Sequence, residues 1–283
     1  MENVTLMELV DEVRDLPLTV SAVLAQVISE CDNADASVSS LARIMAGDQA
    51  LAAMVLKLAN SAYYGYARKI ESLPDAVVLL GFASVKNLAI TASITRLLTS
   101  DRDEYAAIRS DLFDHSLATA VGARILGRAK RISGEKAFVA GLLHDLGLIV
   151  LVCYRKPLFG ELMRAAESTN RSFDEVELEV CGFEHAELGS LIAAEWKFPP
   201  ALCEALRYHH HPDGAVVDPA LARSIHCADW VANRMGIGLV SPGAPEWPEE
   251  VSRTEFQIDQ HSIGALESEI RAEFLEGSSL KAA

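Results

Sequence analysis

The sequence predicts an all-α protein, and the main evidence is the spacing of its apolar residues. In residues 48–62 they stand at Leu51, Met54, Val55 and Leu58, the i, i+3, i+4, i+7 spacing of one face of an amphipathic helix. Two-residue alternation, which would indicate a half-buried strand, is absent over any useful length. Half of the 283 residues are apolar, so the chain can bury a large core, and we expect a multi-helix bundle.

Helical patterns follow one another along the chain, with prolines mostly at the joints. The clearest patterns cover residues 37–48, 48–62, 84–98, 115–129, 135–152 and 262–277. The first opens with Ser37 and Ser39, a residue type that caps helix N-termini. The last is acidic outside and apolar at Ile263, Leu266, Ile270 and Phe274. We expect this last helix to pack back on its own domain or on a partner.

The distribution of histidine divides the chain into parts. Residues 1–100 contain no histidine, whereas residues 101–240 contain seven of the eight. We therefore predict an N-terminal helical subdomain over 1–100 and a helical core with a His/Asp cluster over 101–240. Residues 241–283 are predicted as a proline-containing linker and an acidic C-terminal helix.

Charge and cysteine content exclude several classes of function. The net charge is −15 and no stretch forms a basic stripe, which argues against direct nucleic-acid binding. An acidic surface is repelled by anionic lipids, and the longest apolar runs fall short of the roughly 20 residues that span a bilayer. The five cysteines form no C-x-x-C pair, so we expect buried thiols in a cytoplasmic protein without a signal peptide.

Histidines and aspartates at helix-sized separations form the candidate site. His144 and Asp145 are adjacent within an apolar pattern that predicts one continuous helix, and burying both is costly unless each has a partner, for example a divalent cation. Further candidates lie in other predicted helices: His115, His185, His209, His210 and Asp229. A single histidine on a helix is more often an ordinary hydrogen-bonded residue. No sequence feature marks His226 or His261 as a metal ligand. His211, which precedes Pro212, is expected in solvent.

The mixed histidine and carboxylate set indicates which metals to expect. Imidazole suits Zn, Fe and Ni, and a mixed set also suits Mn or a di-iron pair; Mg remains an alternative. Seven ligands exceed one tetrahedral site, so the count favours a dinuclear centre.

Several blocks of the sequence resemble the HDOD domain, a signalling branch of the HD superfamily of metal-dependent phosphohydrolases. His115, the His144–Asp145 pair and Asp229 match the order of the HD superfamily. The blocks that resemble the HDOD branch include Asp48, Asn60–Ser61, Leu80–Gly81, Trp196 and Pro199. The resemblance covers about residues 10–240.

The resemblance implies an all-α, HD-type helical bundle of the kind found in bacterial signalling and regulatory proteins. Many HDOD proteins have lost metal ligands and are thought to act as interaction modules. All seven candidates of this chain fall on matching positions. Active cyclic-dinucleotide phosphodiesterases of the related HD-GYP branch carry a Lys after the HD pair and a Gly-Tyr-Pro signature. Here Leu146 follows the pair, the signature is absent, and the nearest cations in sequence are Arg207 and Lys197.

The segment around residues 60–72 has two interpretations. Asn60 and Ser61 favour a structural role, capping or cross-bracing helices. The stretch that follows, with Tyr63, Tyr64, Tyr66, Arg68 and Lys69, suits a recognition loop and a solvent-facing cover of the core equally well.

Three functional hypotheses follow. The first is a regulatory module that binds a signalling protein or a nucleotide messenger, with any metal structural or vestigial. The alternative is a metal-dependent phosphohydrolase or phosphodiesterase, with His144 and Asp145 as its catalytic residues. There His144, Asp145, His115 and Asp229 would hold one ion and His185, His209 and His210 a second. The third is a metal-dependent ligand sensor without turnover. The sequence does not determine the oligomeric state.

Overall fold

The computed structural model describes residues 5–15, 22–31, 33–61, 69–100, 103–169, 171–238, 248 and 250–277. These residues form α-helices, one 3-10 helix (Pro212–Gly214) and no strand, which confirms the predicted fold class. The α-helices are α1 (Leu6–Asp15), α2 (Ala22–Cys31), α3 (Val38–Met45), α4 (Gln49–Ala59), α5 (Leu73–Ser100), α6 (Ala106–Ala129), α7 (Gly134–Leu143), α8 (Leu146–Tyr154), α9 (Lys156–Thr169), α10 (Phe173–Cys181), α11 (His185–Glu195), α12 (Pro200–Arg207), α13 (Pro219–Arg234), α14 (Glu250–Phe256) and α15 (Ile263–Gly277).

The chain forms two compact units. The small unit runs from Leu16 to Ser100, and the large unit combines the residues up to Asp15 with those from Asp101 to Ser278. Helix α1 therefore belongs with the C-terminal helices, and within the large unit it packs against α11.

Capping side chains define the helices of the small unit. Ser37 and Ser40 form a capping box at the start of α3, and Asp48 caps α4 while it also pairs with Arg96 at 3.0 Å. Helix α5 bends at Gly81, whose φ of 81° is readily adopted only by glycine.

Asn60 and Ser61 have the predicted structural role of bracing a helix end. The Asn60 amide donates to the carbonyls of Leu56 and Ile70 and accepts from the Ile70 N–H, all at 2.7–2.8 Å. The Ser61 hydroxyl donates to the Leu58 carbonyl at 2.7 Å. These bonds tie the end of α4 to the start of the next segment. The tyrosines and Arg68 of the following stretch lie outside the described residues, and Lys69 is exposed.

The large unit is built around α6, which packs against α7, α13 and α15. Small residues permit these contacts. A Cβ on Gly141 of α7 would lie 2.7 Å from the Cα of Ala120 in α6, and one on Gly122 of α6 would lie 2.9 Å from Ala228 in α13. The expectation that the C-terminal helix packs back on its own domain is confirmed, because Ile270 of α15 is fully buried. Most of the predicted linker that precedes this helix lies outside the described residues.

Two sequence-based expectations need correction. Only Cys227 is buried, while the other four cysteines are half-exposed and all five are free thiols. The stretches Leu73–Thr99 and Gly134–Tyr154 are long and apolar enough to span a membrane by length and composition. Core helices of globular proteins share this length and composition, and 89% of the most apolar 18-residue window of the second stretch is buried within the protein.

Candidate metal centre

The seven predicted metal-binding residues lie in one cluster inside the large unit. His115 comes from the middle of α6 and Asp229 from α13, where both face the helix interface. The other five stand at helix ends or in the turns beside them: His144, Asp145, His185, His209 and His210. Helix ends suit this purpose because side chains there escape the fixed angular spacing of a helix.

The His144–Asp145 pair does not lie inside a continuous helix, contrary to the sequence-based expectation. Helix α7 ends at Leu143 and α8 begins at Leu146, with His144 and Asp145 in the turn between them. Adjacent residues within a helix point in different directions. The break removes this restriction, so both side chains reach the same cluster.

The first half-site consists of His115, His144, Asp145 and Asp229. Nε2 of His115 lies 2.9 Å from Oδ1 of Asp229 and 3.8 Å from Oδ2 of Asp145. Nε2 of His144 lies 3.2 Å from the same Asp145 oxygen and 3.8 Å from Oδ1 of Asp229. All four residues are buried, so their charges interact with little solvent screening.

The second half-site consists of His185, His209 and His210. Nε2 of His185 lies 3.0 Å from Nε2 of His210 and 3.3 Å from Oδ1 of Asp145. Nε2 of His209 lies 3.7 Å from that same Asp145 oxygen. The two oxygens of Asp145 therefore face different half-sites, which makes Asp145 the residue common to both.

Backbone carbonyls fix two of the imidazole rings. Nδ1 of His144 lies 2.8 Å from the Gly141 carbonyl, and Nδ1 of His209 lies 2.7 Å from the Leu206 carbonyl. Because a carbonyl only accepts, each Nδ1 carries the proton. In neutral imidazole the lone pair is then on Nε2, which faces the cluster. These two Nε2 atoms are buried without a hydrogen-bond partner in the described chain.

Three residues not predicted from the sequence support the ligand set. Oε2 of Glu177, in α10, lies 2.6 Å from Nδ1 of His185. The Asn233 amide donates to Oδ1 of Asp229 at 2.9 Å. Nδ1 of His226 lies 2.8 Å from the backbone carbonyl of His209, so this histidine supports the ligand segment. A signal existed for Glu177, which stands four residues after buried Phe173 and therefore in an apolar stripe.

The two aspartates of the cluster are held as carboxylates. Burial alone would raise the pKa of Asp145, but His144, His185 and His115 outweigh it and hold this pKa well below its usual range. The pKa of Asp229 is also lowered, because the hydrogen bond and charge of His115 overcome burial.

The five histidines fall into two electrostatic classes. Burial opposes protonation of all of them, but Asp229 raises the pKa of His115, while Glu177 and Asp145 raise that of His185 well above its ordinary value. The other three have lowered pKa values, because burial dominates and further imidazoles surround them: His144, His209 and His210. These three are neutral at pH 7, the form in which imidazole binds a metal.

This arrangement fits a divalent metal. The ligand atoms of His115, His144 and Asp145 lie within 4.8 Å of one another, and so do those of the second half-site. A buried polar atom without a partner costs about 1–3 kcal/mol; a cation in the first half-site would satisfy Nε2 of His144, and one in the second would satisfy Nε2 of His209. Five imidazoles and two carboxylates suit Fe, Mn, Zn or Ni, whereas Mg prefers oxygen ligands.

The two cations nearest in sequence to the histidine run are paired or exposed. Arg207, the nearest in sequence to the histidine run, pairs with Glu187 at 2.9 Å, and Lys197 is exposed. Among the described residues, the ion-pair partners of Asp145 and Asp229 are histidines. His211 is exposed, as predicted, and stands beside Asp174 and Glu184.

Comparison with known proteins identifies relatives of this chain. The family model for the HDOD domain matches residues 16–212. A protein of Treponema pallidum (strain Nichols), named only as an uncharacterized protein, is 28% identical over 206 residues. That match covers 71% of this chain and 39% of the relative, so the chain spans about two fifths of the relative's length.

Two crystal structures share the fold. One is named "Putative phosphohydrolase", from Shewanella amazonensis SB2B, with 23% identity, a TM-score of 0.69 and 97% of each chain covered. The other is named "Putative signal transduction protein", from Marinobacter aquaeolei VT8, with 25% identity and a TM-score of 0.66. It covers 93% of this chain and 59% of that one. The likeness confirms the expected HD-type helical fold.

Proposed function

This chain belongs to the HDOD domain family, and from that premise we propose that it is a metal-binding regulatory module of bacterial signal transduction. In this proposal it acts in the cytoplasm by binding a signalling protein or a nucleotide messenger, without turnover. The observation that carries the proposal is a set of seven ligand side chains that converge on one buried cluster. The cations nearest in sequence to this cluster are paired with a carboxylate or exposed.

The residues of the two half-sites would hold the metal. His115, His144, Asp145 and Asp229 would bind one ion, and His185, His209 and His210 a second, with Asp145 adjacent to both. Three of these ligands, His144, His185 and His209, are hydrogen-bonded at the Nδ1 atom opposite the cluster, an arrangement typical of a preorganised metal site. A bound divalent cation would supply Lewis acidity and a coordination position for an anionic ligand.

The engagement of Arg207, the cation nearest in sequence to the histidine run, argues against phosphodiester hydrolysis. Phosphoryl transfer develops charge on equatorial oxygens, which enzymes neutralise with metal ions together with Arg or Lys. The Arg207 guanidinium pairs with Glu187 at 2.9 Å, so a phosphate bound at His210 would compete with this carboxylate for it. Binding of a messenger needs less charge neutralisation than its cleavage, which favours the regulatory function.

The names of similar proteins are compatible with both functions. The Marinobacter protein carries a signal-transduction name, and the Shewanella protein a phosphohydrolase name. The second candidate function is therefore a metal-dependent phosphohydrolase. The position of Asp145 between the half-sites favours it, because two-metal hydrolases hold both ions around shared ligands. In that function His144 and Asp145 would orient the reacting groups.

One set of measurements distinguishes these functions. The purified protein is analysed for bound metal and then incubated with Mn or Fe and a panel of nucleotides and cyclic dinucleotides. We expect metal in the protein, messenger binding by calorimetry and no product. His261→Ala, at an exposed histidine, is the control. Turnover that His144→Ala abolishes and His261→Ala retains would establish the hydrolase function instead. Absence of metal from the wild-type protein under all conditions would contradict both functions.

A further inference from the structure

We infer that Glu177 is the positioning residue of the second half-site, holding the His185 ring with Nε2 directed at the metal position and supplying a negative charge behind it. This inference rests on the proposed metal centre and assigns a role within it to a residue outside the ligand set.

The contacts of Glu177 define this role. Its Oε2 atom accepts two hydrogen bonds from His185, from the backbone N–H at 2.9 Å and from Nδ1 at 2.6 Å. One carboxylate oxygen thus fixes both the start of α11 and the ring of its first residue. With Nδ1 donating to Glu177, Nε2, which is hydrogen-bonded to His210, is the atom that would bind a metal in exchange for a proton. It already lies 3.0 Å from Nε2 of His210, close to the roughly 3–3.5 Å between two nitrogens that bind one ion at about 2.1 Å.

The turn between α10 and α11 explains how two residues eight positions apart come into contact. Gly182, just after α10, has φ of 77° and so reverses the chain in a left-handed conformation that glycine favours. Buried Phe183 then anchors the turn. Glu184, at the N-cap of α11, makes no side-chain capping bond. Instead Glu177, in the preceding helix, accepts the backbone N–H of His185 at the N-terminus of α11. A negative charge is also favourable at a helix N-terminus.

Glu177 differs in kind from the partners of the other fixed imidazoles. His144 and His209 donate to neutral carbonyls, whereas His185 donates to a carboxylate that is 1% exposed. The second Glu177 oxygen, Oε1, has no hydrogen-bond partner in the described chain. A buried carboxylate with one unsatisfied oxygen is costly unless a positive charge compensates it. A carboxylate–histidine–metal arrangement provides that compensation and increases the donor strength of the imidazole.

The test is a comparison of metal binding by wild-type protein, Glu177→Gln and Glu177→Ala. Glutamine keeps one oxygen that can accept both bonds and replaces the other with an uncharged NH2 group, so the effect of the charge is measurable even if the alanine variant fails to fold. Glu175→Gln is the matched control, since it removes the same charge from an exposed position of α10 that pairs with Arg171. His185→Ala defines the loss of the second half-site. Binding of Mn is followed by calorimetry, and the magnetic coupling of an ion pair by electron paramagnetic resonance.

His185→Ala should abolish binding of the ion at the second half-site. We expect Glu177→Gln to lower the affinity for that same ion by roughly 10- to 100-fold and to leave the affinity for the other ion unchanged. The coupled-pair signal should disappear at Mn concentrations that saturate wild-type protein and Glu175→Gln. In the protein without metal, nitrogen-15 spectra of the imidazoles should also show a changed chemical shift for the Nδ1–H group of His185.

Two results would overturn the inference and leave the proposed function intact. If Glu177→Gln binds both ions like the wild type, Glu177 is only a structural residue and the proposed metal centre stands. If Glu177→Gln and Glu175→Gln weaken binding equally, the effect comes from net charge. A wild-type protein that binds no ion would contradict the proposed function itself, and this inference with it.

Discussion

Gly147 lies against the backbone of His185 so closely that a Cβ on Gly147 would be 2.1 Å from the His185 carbonyl oxygen. The contact joins α8 to α11, and a Cβ on Gly189 of α11 would in turn lie 2.9 Å from the Gly147 nitrogen. Two glycines therefore permit the approach that brings the start of α11, and with it His185, to the turn that carries Asp145. The two half-sites share one cluster because these helices touch at their backbones.

We expect Gly147→Ala to lower the free energy of unfolding by about 3 kcal/mol or more, because the clash is with backbone that cannot rotate away. Displacement of α11 should also weaken metal binding at the second half-site. Gly264→Ala in α15 is the control, since a Cβ there would meet nothing within 4 Å. It should leave stability unchanged or raise it by up to about 1 kcal/mol. Urea denaturation measures both variants, and equal stability of the two would contradict the close approach.

Asp145→Asn should reduce the binding of both ions, because each Asp145 oxygen faces a different half-site. Its Oδ1 lies near His185 and His209, and its Oδ2 near His144 and His115. The expected loss exceeds the roughly 10- to 100-fold typical of an outer-sphere partner. Asp213→Asn removes the same charge at an exposed site that pairs with Arg223 and should bind metal normally. Metal content per chain after dialysis is the measurement; retention of one full ion in Asp145→Asn would show that Asp145 serves only one half-site.

The stability of the protein without metal should depend on pH through His210. Burial and the neighbouring charge of His185 lower its pKa to about 4, whereas the unfolded chain titrates near 6.5. Between these values the unfolded state binds the extra proton, so the free energy of unfolding falls as pH falls from about 6.5 to 4. Each pKa unit corresponds to about 1.4 kcal/mol, and we expect roughly 1–3 kcal/mol from this residue.

His210→Gln should therefore reduce the fall in the free energy of unfolding between about pH 6.5 and 4. His211→Gln, at the exposed neighbour, is the control and should not reduce it. The remaining slope comes from His144 and His209, whose pKa values are also lowered. His115 and His185 act in the opposite sense. Their raised pKa values stabilise the fold below about pH 6.5, and this contribution is lost as pH rises through the folded values. Denaturation curves from pH 4 to 8 in the presence of a chelator test the signs. An unchanged slope in His210→Gln would contradict the assignment.

Periodicity was sufficient for the fold class because helix formation and burial both follow from local apolar spacing. It failed at the His144–Asp145 turn, where apolar residues continue on both sides and nothing in the composition marks a break. Beside the break, Gly147 contacts His185 of α11, a residue almost forty positions away that local periodicity does not include. The placement of α1 in the large unit is equally non-local.

The ligand set was recognisable because histidine is rare in this chain and its positions matched those of a family. The supporting residues were harder to find. Asn233 follows Asp229 by one helical turn, an ordinary spacing for a polar pair. Glu177 belongs to an acidic stretch in which Glu175 and Glu179 are exposed. Only its register with Phe173 and Val176 distinguishes it, and a buried glutamate in an apolar stripe then requires a partner.

The docking of α15 on α6 supports the helix that carries His115, which gives a last prediction. Ile270 is fully buried where Gly122 of α6 leaves space, at 3.1 Å from the position of a Cβ on that glycine. Arg124 of α6 pairs with Glu273 of α15 beside this contact. Ile270→Ala should lower the free energy of unfolding by about 2–5 kcal/mol, through lost burial and the cavity that remains. Leu275→Ala, at a residue 65% exposed on the same helix, should change it by less than about 0.5 kcal/mol. Guanidinium denaturation of both variants checks the prediction, and if Ile270→Ala is no less stable than Leu275→Ala, α15 is not part of the folded core.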